Sequence, residues 1–203
     1  MPSYKLTYFD GRGRAETCRL LLAAGGIEYE DNRLPQEQWP AFQPKTPFGQ
    51  LPVMEVDGTV LGQTNSIARY VAKLAGLTGK TALDQAKVDM IMEGAVPLFQ
   101  KAGDVVMGEG DEAKKAEKKK DFEENFAPKF FADMEKLAGD KGYFVSNQLT
   151  SADIAFYGNY ESIKDFVTLP SFDKYPKLKK VVASVQANPG IAKWLKERPQ
   201  TAW

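Results

Sequence analysis

The fold is decided by residues 50–66, which are QLPVMEVDGTVLGQTNS. Within them, residues 53–56 and 59–61 predict two short strands, because the dipeptide Asp57-Gly58 between them is typical of a β-hairpin turn. A helix with an apolar face follows and begins at Gln63-Thr64. Taken alone, this pattern is most often an ordinary hairpin that leads into a surface helix.

Two features of the same stretch could bind a ligand. Pro52 begins the first strand, and the bond before a proline is the one at which a cis peptide costs little. A cis bond would turn the backbone N–H and C=O of Leu51 outward, where an extended, peptide-like ligand could pair with them. The helix that starts near Thr64 offers unpaired N–H groups and a positive dipole end, which suits a carboxylate.

Composition limits the function classes. The chain has 203 residues, enough for one large or two small domains, with 43% hydrophobic and 27% charged residues. Lys plus Arg and Asp plus Glu both number 27, so the net charge favours neither nucleic acid nor an anionic membrane as a partner. The absence of histidine excludes His-based triads, His metal sites and His general bases.

The sequence also predicts a compartment. A single cysteine excludes an internal disulfide and favours the reducing cytosol. Residues 1–14 lack the apolar core of a signal peptide, and the longest apolar run, residues 20–27, is too short to span a bilayer. We therefore expect a cytoplasmic protein that does not bind membranes.

The predicted elements separate into two regions. Those of the first 75 residues alternate: strand 4–8, helix 15–24, strand 27–32, short helix 36–43, then the hairpin and its helix. This order predicts a small mixed sheet with helices on both faces. A polar, Gly-bearing break at 75–80 predicts a linker, and everything beyond it is helical, notably 84–106, 112–137 and the segments that begin at Thr150 and Pro189.

Short motifs lie in the first 53 residues and again near residue 200: SYKLTYF at 3–9, GRGRAE at 11–16, DNR at 31–33, QWP at 38–40, TPFG at 46–49, LPV at 51–53 and RPQT at 198–201. Together they resemble the sigma class of glutathione transferases, and within it the haematopoietic-type prostaglandin D isomerases. The resemblance implies a thioredoxin-like, glutathione-binding domain over 1–75 and an all-α domain over 83–203 that forms the electrophile pocket. It also implies a homodimer, with glutathione as co-substrate.

The resemblance identifies Tyr8, at the end of the first strand, as the catalytic residue. A free thiol is mostly protonated at neutral pH, and a phenol that donates its O–H to the sulfur would stabilise the thiolate. Arg14 begins the next helix and could favour both anionic forms through its charge. Without the resemblance, Tyr8 would be interpreted as a core tyrosine and Arg14 as a surface residue.

The resemblance also assigns binding residues. Trp39 would contact the glycyl end of glutathione, and Gln63 and Thr64 would hold its γ-glutamyl carboxylate. Gln50, Leu51 and Pro52 would form the edge along which the tripeptide lies. Phe9, Met107 and the last helices would line the electrophile pocket. Cys18 lies within the first helix and not at the strand end, so we expect a core residue and not a nucleophile.

The chain departs from the prostaglandin isomerases at several positions. They carry lysines where this chain has Gln43 and Gln50, so the glycyl carboxylate loses cationic partners, and Lys45 is the cation nearby in the sequence. Adjacent aspartates that supply their metal site and a contact to the partner subunit align with Val96 and Pro97. We therefore predict no metal site. Only Asp104 or Glu93 could replace the aspartate that contacts the partner.

These observations favour a sigma-like glutathione transferase that activates glutathione for attack on electrophilic substrates. The alternatives are a glutathione-dependent prostaglandin isomerase, which the altered pocket positions disfavour, and a non-catalytic crystallin or ligandin of the same fold.

Overall fold

The structure is a computed structural model, and it describes residues 2–106 and 111–203. The chain forms two compact units: Met1–Thr78 together with Asn188–Trp203, and Gly79–Ala187. Residues 188–203, which the sequence analysis groups with the helical domain, thus belong to the first unit. The predicted domains 1–75 and 83–203 remain a prediction about independently folding parts.

A four-stranded mixed sheet forms the centre of the first unit. Its strands are β1 Tyr4–Phe9, β2 Glu30–Leu34, β3 Val53–Val56 and β4 Thr59–Gly62, in the order β2-β1-β3-β4. β1 pairs in parallel with β2 and antiparallel with β3. The predicted small mixed sheet is therefore confirmed, with β1 paired on both sides.

The predicted hairpin is present at the expected residues. Asp57 and Gly58 have φ values of 49° and 84°, the two positive values that a type I′ turn needs, and Val56 pairs with Thr59 directly across it. The Leu51–Pro52 peptide bond is cis, as the sequence predicts.

The α-helices are α1 Glu16–Ala24, α2 Trp39–Phe42, α3 Thr64–Leu74, α4 Ala82–Val106, α5 Glu112–Asp121, α6 Ala127–Leu137, α7 Ser151–Ile163, α8 Pro176–Gln186 and α9 Pro189–Glu197. Short 3₁₀ turns cover Gly13–Ala15, Gln36–Gln38, Gln43–Lys45 and Phe172–Lys174. None of the helices in the described part of the chain is long and apolar enough to cross a membrane.

One predicted boundary is wrong, and the end of α1 shows why. The predicted strand 27–32 is instead β2, at Glu30–Leu34. The N–H of Ile27 donates to the carbonyl of Leu22 at 3.0 Å, and that of Gly26 to Ala23 at 3.1 Å, which is the hydrogen-bond pattern of a Schellman motif. Because the Ile27 N–H completes the helix end, Ile27 does not enter the sheet, although its side chain is typical of a strand.

The second unit, Gly79–Ala187, is helical throughout its regular structure. The single helix predicted over 112–137 consists of α5 and α6 joined by a π-helical turn, Phe122–Phe126. Pro128 lies in the first turn of α6, where its missing N–H is tolerated, and the irregular turn lies before the proline. Phe126 and Phe130 stack at 5.9 Å, and Phe130 stacks on Phe156 of α7 at 6.5 Å.

A buried capping box begins α7. The Asp153 carboxylate accepts from the Thr150 N–H at 2.7 Å and from the Thr150 hydroxyl at 2.9 Å. Its other oxygen accepts from the Phe144 N–H at 2.7 Å, so it also holds the preceding loop. Burial raises the pKa of Asp153 to about 6, although each of these hydrogen bonds lowers it.

This raised pKa predicts a pH-dependent stability. Between pH 4 and 6 the folded Asp153 retains its proton while the unfolded one loses it, so its stabilising contribution is complete below pH 4 and is lost as the pH rises through about 6. Urea unfolding of the wild type and Asp153→Asn at pH 4, 5, 6 and 7 measures this. We expect the wild type's advantage to shrink by up to about 3 kcal/mol over that range. An advantage that grows with pH would contradict the prediction.

Candidate active site

Tyr8 lies near the end of the central strand of the first unit. In β1 its neighbour Thr7 pairs with Val53, the residue after Pro52, and Tyr8 itself pairs with Arg33 of β2. Tyr8 is only 7% exposed. Pairing with β2 therefore fixes its backbone, and the neighbouring Thr7–Val53 pair places it beside the Leu51–Pro52 edge.

The Tyr8 hydroxyl lies against the loop between β1 and α1. It accepts a hydrogen bond from the backbone N–H of Arg14 at 3.3 Å. A Cβ on Gly13 would lie 2.6 Å from this hydroxyl, and Gly13 has a φ of +41°, so a glycine is needed here on both counts. The Arg14 side chain is exposed.

Burial raises the pKa of the Tyr8 phenol above its usual value. The hydrogen bond from Arg14 and the charges of Arg14 and Arg19 lower it in part. Because the pKa is raised overall, the phenol is protonated at neutral pH. Tyr8 is thus a hydrogen-bond donor that is available to an anion.

An aromatic cluster surrounds this phenol. The Phe9 ring lies 5.7 Å from Tyr8 and 5.7 Å from Trp39, so the structure brings these three predicted site residues together. Trp203, which the sequence analysis does not single out, lies 6.0 Å from Tyr8, edge to face, and 6.4 Å from Phe9. Met107 lies outside the described residues.

A second group of predicted residues meets at the start of α3. The Gln63 side-chain amide donates to the Gln50 side-chain oxygen at 3.2 Å. Gln63 precedes α3 with a φ of 71°, a backbone conformation that is uncommon for a residue with a side chain and that concentrates at functional sites. Thr64 is the first residue of α3. The two glutamines and the helix start thus form one polar edge.

The loop before this edge contains the remaining polar candidates. Gln43 donates to the carbonyl of Gly49 at 3.3 Å, so its amide supports the loop. Lys45 is exposed at the end of a 3₁₀ turn. Cys18 is fully buried, as its position in the helix predicts, and burial raises the pKa of its thiol to about 12, so it is not a thiolate at neutral pH.

A buried carboxylate joins α1 to residues 188–203. Glu16, with no exposed surface, accepts from the Trp194 indole at 2.9 Å and from the Arg198 guanidinium at 2.8 Å. Its second oxygen lies 3.5 Å from the Arg19 guanidinium. Trp194 and Arg198 follow Glu16 by 178 and 182 residues in the sequence, whereas Arg19 follows it by three.

Arg19 is also fully buried, and it organises the loop after β1. Its guanidinium donates to the carbonyl of Gly11 at 2.6 Å, to that of Arg12 at 3.3 Å and to Asp31 at 2.9 Å. The pair Arg19 and Glu16 thus holds the loop that leads from Tyr8 to Arg14. Sequence reasoning missed both, because a Glu and an Arg three residues apart on a helix usually form an exposed pair.

Within residues 2–106 and 111–203, no group of three His, Cys, Asp or Glu side chains is placed to hold a metal ion. The chemistry that this site supports is that of hydrogen-bond donors and apolar surface around one protonated phenol.

Comparison with known proteins gives a consistent result over the full chain. The family model of the glutathione S-transferase N-terminal domain matches residues 4–73, and that of the C-terminal domain matches residues 98–198. The chain is 42% identical to a hematopoietic prostaglandin D synthase of Gallus gallus and 39% identical to glutathione S-transferase 1 of Ascaris suum, with 100% of each chain covered in both.

Solved structures agree with these relatives. The glutathione S-transferase from Ascaris lumbricoides superimposes with a TM-score of 0.85 at 38% identity, over 99% of this chain and 100% of that chain. The small mixed sheet with a helical part is therefore the fold of this family.

The buried carboxylate yields a stability prediction. Glu16→Gln removes the negative charge beside two guanidinium groups and places an amide N–H₂ among donors, so the free energy of unfolding should fall by about 3 kcal/mol. Urea unfolding measures this loss. Glu28→Gln, an exposed change in the same unit, is the matched control and should cost less than about 0.5 kcal/mol. Equal effects of the two changes would refute the role of Glu16.

Proposed function

Because the chain belongs to the glutathione S-transferase family, we propose that it conjugates glutathione, through its sulfur, to hydrophobic electrophiles, with Tyr8 as the residue that stabilises the thiolate. The observation that carries this proposal is the buried, protonated Tyr8 phenol at the end of β1. It lies within an aromatic cluster that suits an apolar second substrate.

The reaction needs one hydrogen bond at the sulfur. The glutathione thiol loses its proton to water, and the Tyr8 O–H donates to the resulting thiolate. The sulfur lone pair then forms a bond to the electrophilic carbon; with an aryl halide, the halide leaves with the electrons of its own bond. Because Tyr8 already accepts from the Arg14 N–H, its hydrogen is free to point toward the sulfur.

Glutathione would bind along the polar edge. The N–H groups at the start of α3, with the Thr64 hydroxyl and the Gln63 amide, suit the γ-glutamyl carboxylate. The backbone of Leu51 would pair with the peptide part, and Gln50 would support Gln63 through the 3.2 Å hydrogen bond. Trp39, in contact with Phe9, would contact the glycyl end.

The proposal also covers the oligomeric state of the enzyme, its compartment and its metal content. We infer a homodimer in the cytoplasm that detoxifies electrophiles without a metal ion. The single, buried cysteine supports a reducing compartment. Val96 and Pro97 supply no carboxylate at the positions expected of a metal site.

A second candidate is the isomerisation of a prostaglandin endoperoxide with glutathione as cofactor. The 42% identity to the Gallus gallus prostaglandin D synthase favours it. Turnover of an aryl halide, a hydroperoxide and a prostaglandin endoperoxide by the purified chain, each with glutathione, separates the two. The transferase proposal fails if no electrophile is conjugated above the uncatalysed rate.

Removal of the Tyr8 hydroxyl tests the mechanism. Tyr8→Phe should lower the rate of aryl halide conjugation by about 10- to 1,000-fold, the usual effect of losing one donor at a developing anion. The Michaelis constant for glutathione should change little, because the hydroxyl acts on sulfur and not on the peptide. Steady-state kinetics measures both. Tyr4→Phe, four residues earlier in β1, is the control and should keep the wild-type rate.

A second prediction concerns the glycyl carboxylate, which lacks the lysines of the related isomerases. If Lys45 supplies the cation, Lys45→Ala should raise the Michaelis constant for glutathione several-fold with a nearly unchanged maximal rate, and added salt should weaken wild-type binding. If neutral donors suffice, both responses should be flat, and Gln50→Lys should lower the constant. Saturation curves at two salt concentrations decide between them, and an unchanged constant for Lys45→Ala excludes Lys45.

A further inference from the structure

The loop between β1 and α1, residues 10–15, leads from Tyr8 to the N–H that contacts its hydroxyl. Its regular structure is one short 3₁₀ turn, so its backbone groups need partners from elsewhere in the chain. The Arg12 N–H donates to the carbonyl of Trp203 at 2.8 Å, and the Trp203 indole packs on Gly11, where a Cβ would overlap its ring. The conformation of this loop is therefore set by groups outside it.

Arg19, a fully buried residue of α1, supplies two further partners. Its Nη1 donates to the carbonyl of Gly11 at 2.6 Å and to that of Arg12 at 3.3 Å, so one nitrogen holds two consecutive peptide units. Its Nε donates to the Asp31 carboxylate at 2.9 Å. Because a guanidinium is planar and rigid, the bond to Asp31 also fixes the direction of the bonds to the loop.

The sheet in turn fixes Asp31. This residue of β2 pairs with Leu6 of β1, and its second oxygen accepts from Arg33 at 3.0 Å. Arg33 also donates to Asp10, the first residue of the loop, at 2.9 Å. Arg19 and Arg33 therefore meet at one carboxylate, and together they hold the first three residues of the loop.

We propose that Arg19 is a positioning residue, which holds the loop so that the Arg14 N–H meets the Tyr8 oxygen and the Tyr8 hydrogen is directed at the sulfur of glutathione. This inference rests on the transferase function proposed above and adds a residue that acts through Tyr8. The Arg14 N–H donates over 3.3 Å, at the long end for such a bond, so a small displacement of the loop breaks it. The phenol then loses the contact that orients it, and its donation to the thiolate weakens.

The test is a double-mutant cycle between Arg19→Lys and Tyr8→Phe. Lysine keeps the buried positive charge beside Asp31 and Glu16, but its ammonium does not reproduce the rigid fork that spans Asp31 and the two carbonyls. Arg19→Lys should lower kcat/KM for aryl halide conjugation about tenfold, a part of what complete loss of the donor costs. In the Tyr8→Phe background the same change should have an effect below about twofold, because the group through which it acts is gone.

A second readout is the ionisation of bound glutathione, followed by the ultraviolet absorbance of its thiolate as the pH is varied. A poorly directed phenol stabilises the thiolate less, so the pKa of the bound thiol should be higher in Arg19→Lys by about 1, the equivalent of the tenfold loss. The loss of kcat/KM should then be complete at low pH and shrink as the pH rises above this pKa. The dissociation constant of S-methylglutathione, which has no thiol, should stay within about twofold.

Two further variants separate positioning from stability. Asp31→Asn removes the charge that orients the guanidinium and leaves Arg19 in place, so it should lower kcat/KM about threefold, and again only where Tyr8 is present. If Arg19→Lys does not fold, Asp31→Asn decides the question by the same cycle. Glu135→Gln alters a carboxylate that accepts two N–H groups at the start of α8, so it should lower the melting temperature and keep the wild-type rate. Thermal unfolding compares the stabilities.

The outcomes distinguish this inference from the proposed function. A wild type that conjugates no electrophile overturns the transferase function and the role of Arg19 with it. An active wild type whose Arg19→Lys and Asp31→Asn variants retain its rate overturns the role of Arg19 alone. Equal losses with and without the Tyr8 hydroxyl also overturn that role, since Arg19 would then support the fold and not the phenol. A loss confined to the background with Tyr8, together with the higher thiol pKa, supports it.

Discussion

The first unit depends on one buried carboxylate. Glu16 is fully buried, and such a group costs several kcal/mol unless donors surround it. Trp194 and Arg198 supply those donors from the other end of the sequence, and Arg19 supplies positive charge from the same helix. Burial of this carboxylate therefore ties residues 188–203 to α1, because its hydrogen bonds to Trp194 and Arg198 offset the cost of removing it from water.

The Tyr8 phenol is held in place for a related reason. β1 pairs with strands on both sides, so Tyr8 cannot shift along the sheet without breaking two ladders. Its hydroxyl then meets the Arg14 N–H, and the loop between them is held by the buried Arg19. The sheet and the buried charges thus fix the position of one hydrogen-bond donor.

Much of the fold could be predicted because its signals are local. The Asp57-Gly58 turn, the Thr150 capping box and the Pro189 helix start depend on residues within four positions of one another. The predicted bounds of β2 are wrong because they depend on a contact between residues that are distant in the sequence. The Ile27 N–H could bond to a local partner at the end of α1 or to a distant partner in β1. The structure shows that it donates to the end of α1.

The candidate site likewise contains residues that the sequence indicates and one that it does not. Tyr8, Gln63 and Thr64 could be proposed because the motifs around them resemble a known family, and each lies next to a strand end or a helix start, where ligands often bind. Trp203 could not, because its meaning depends on an indole reaching a glycine more than 190 residues earlier, and no spacing in the sequence encodes that contact. A residue type near a chain end is ambiguous until its partners are known. The same loop that contacts the phenol also supports the indole, so the sequence around Gly11 and Gly13 constrains both aromatic side chains.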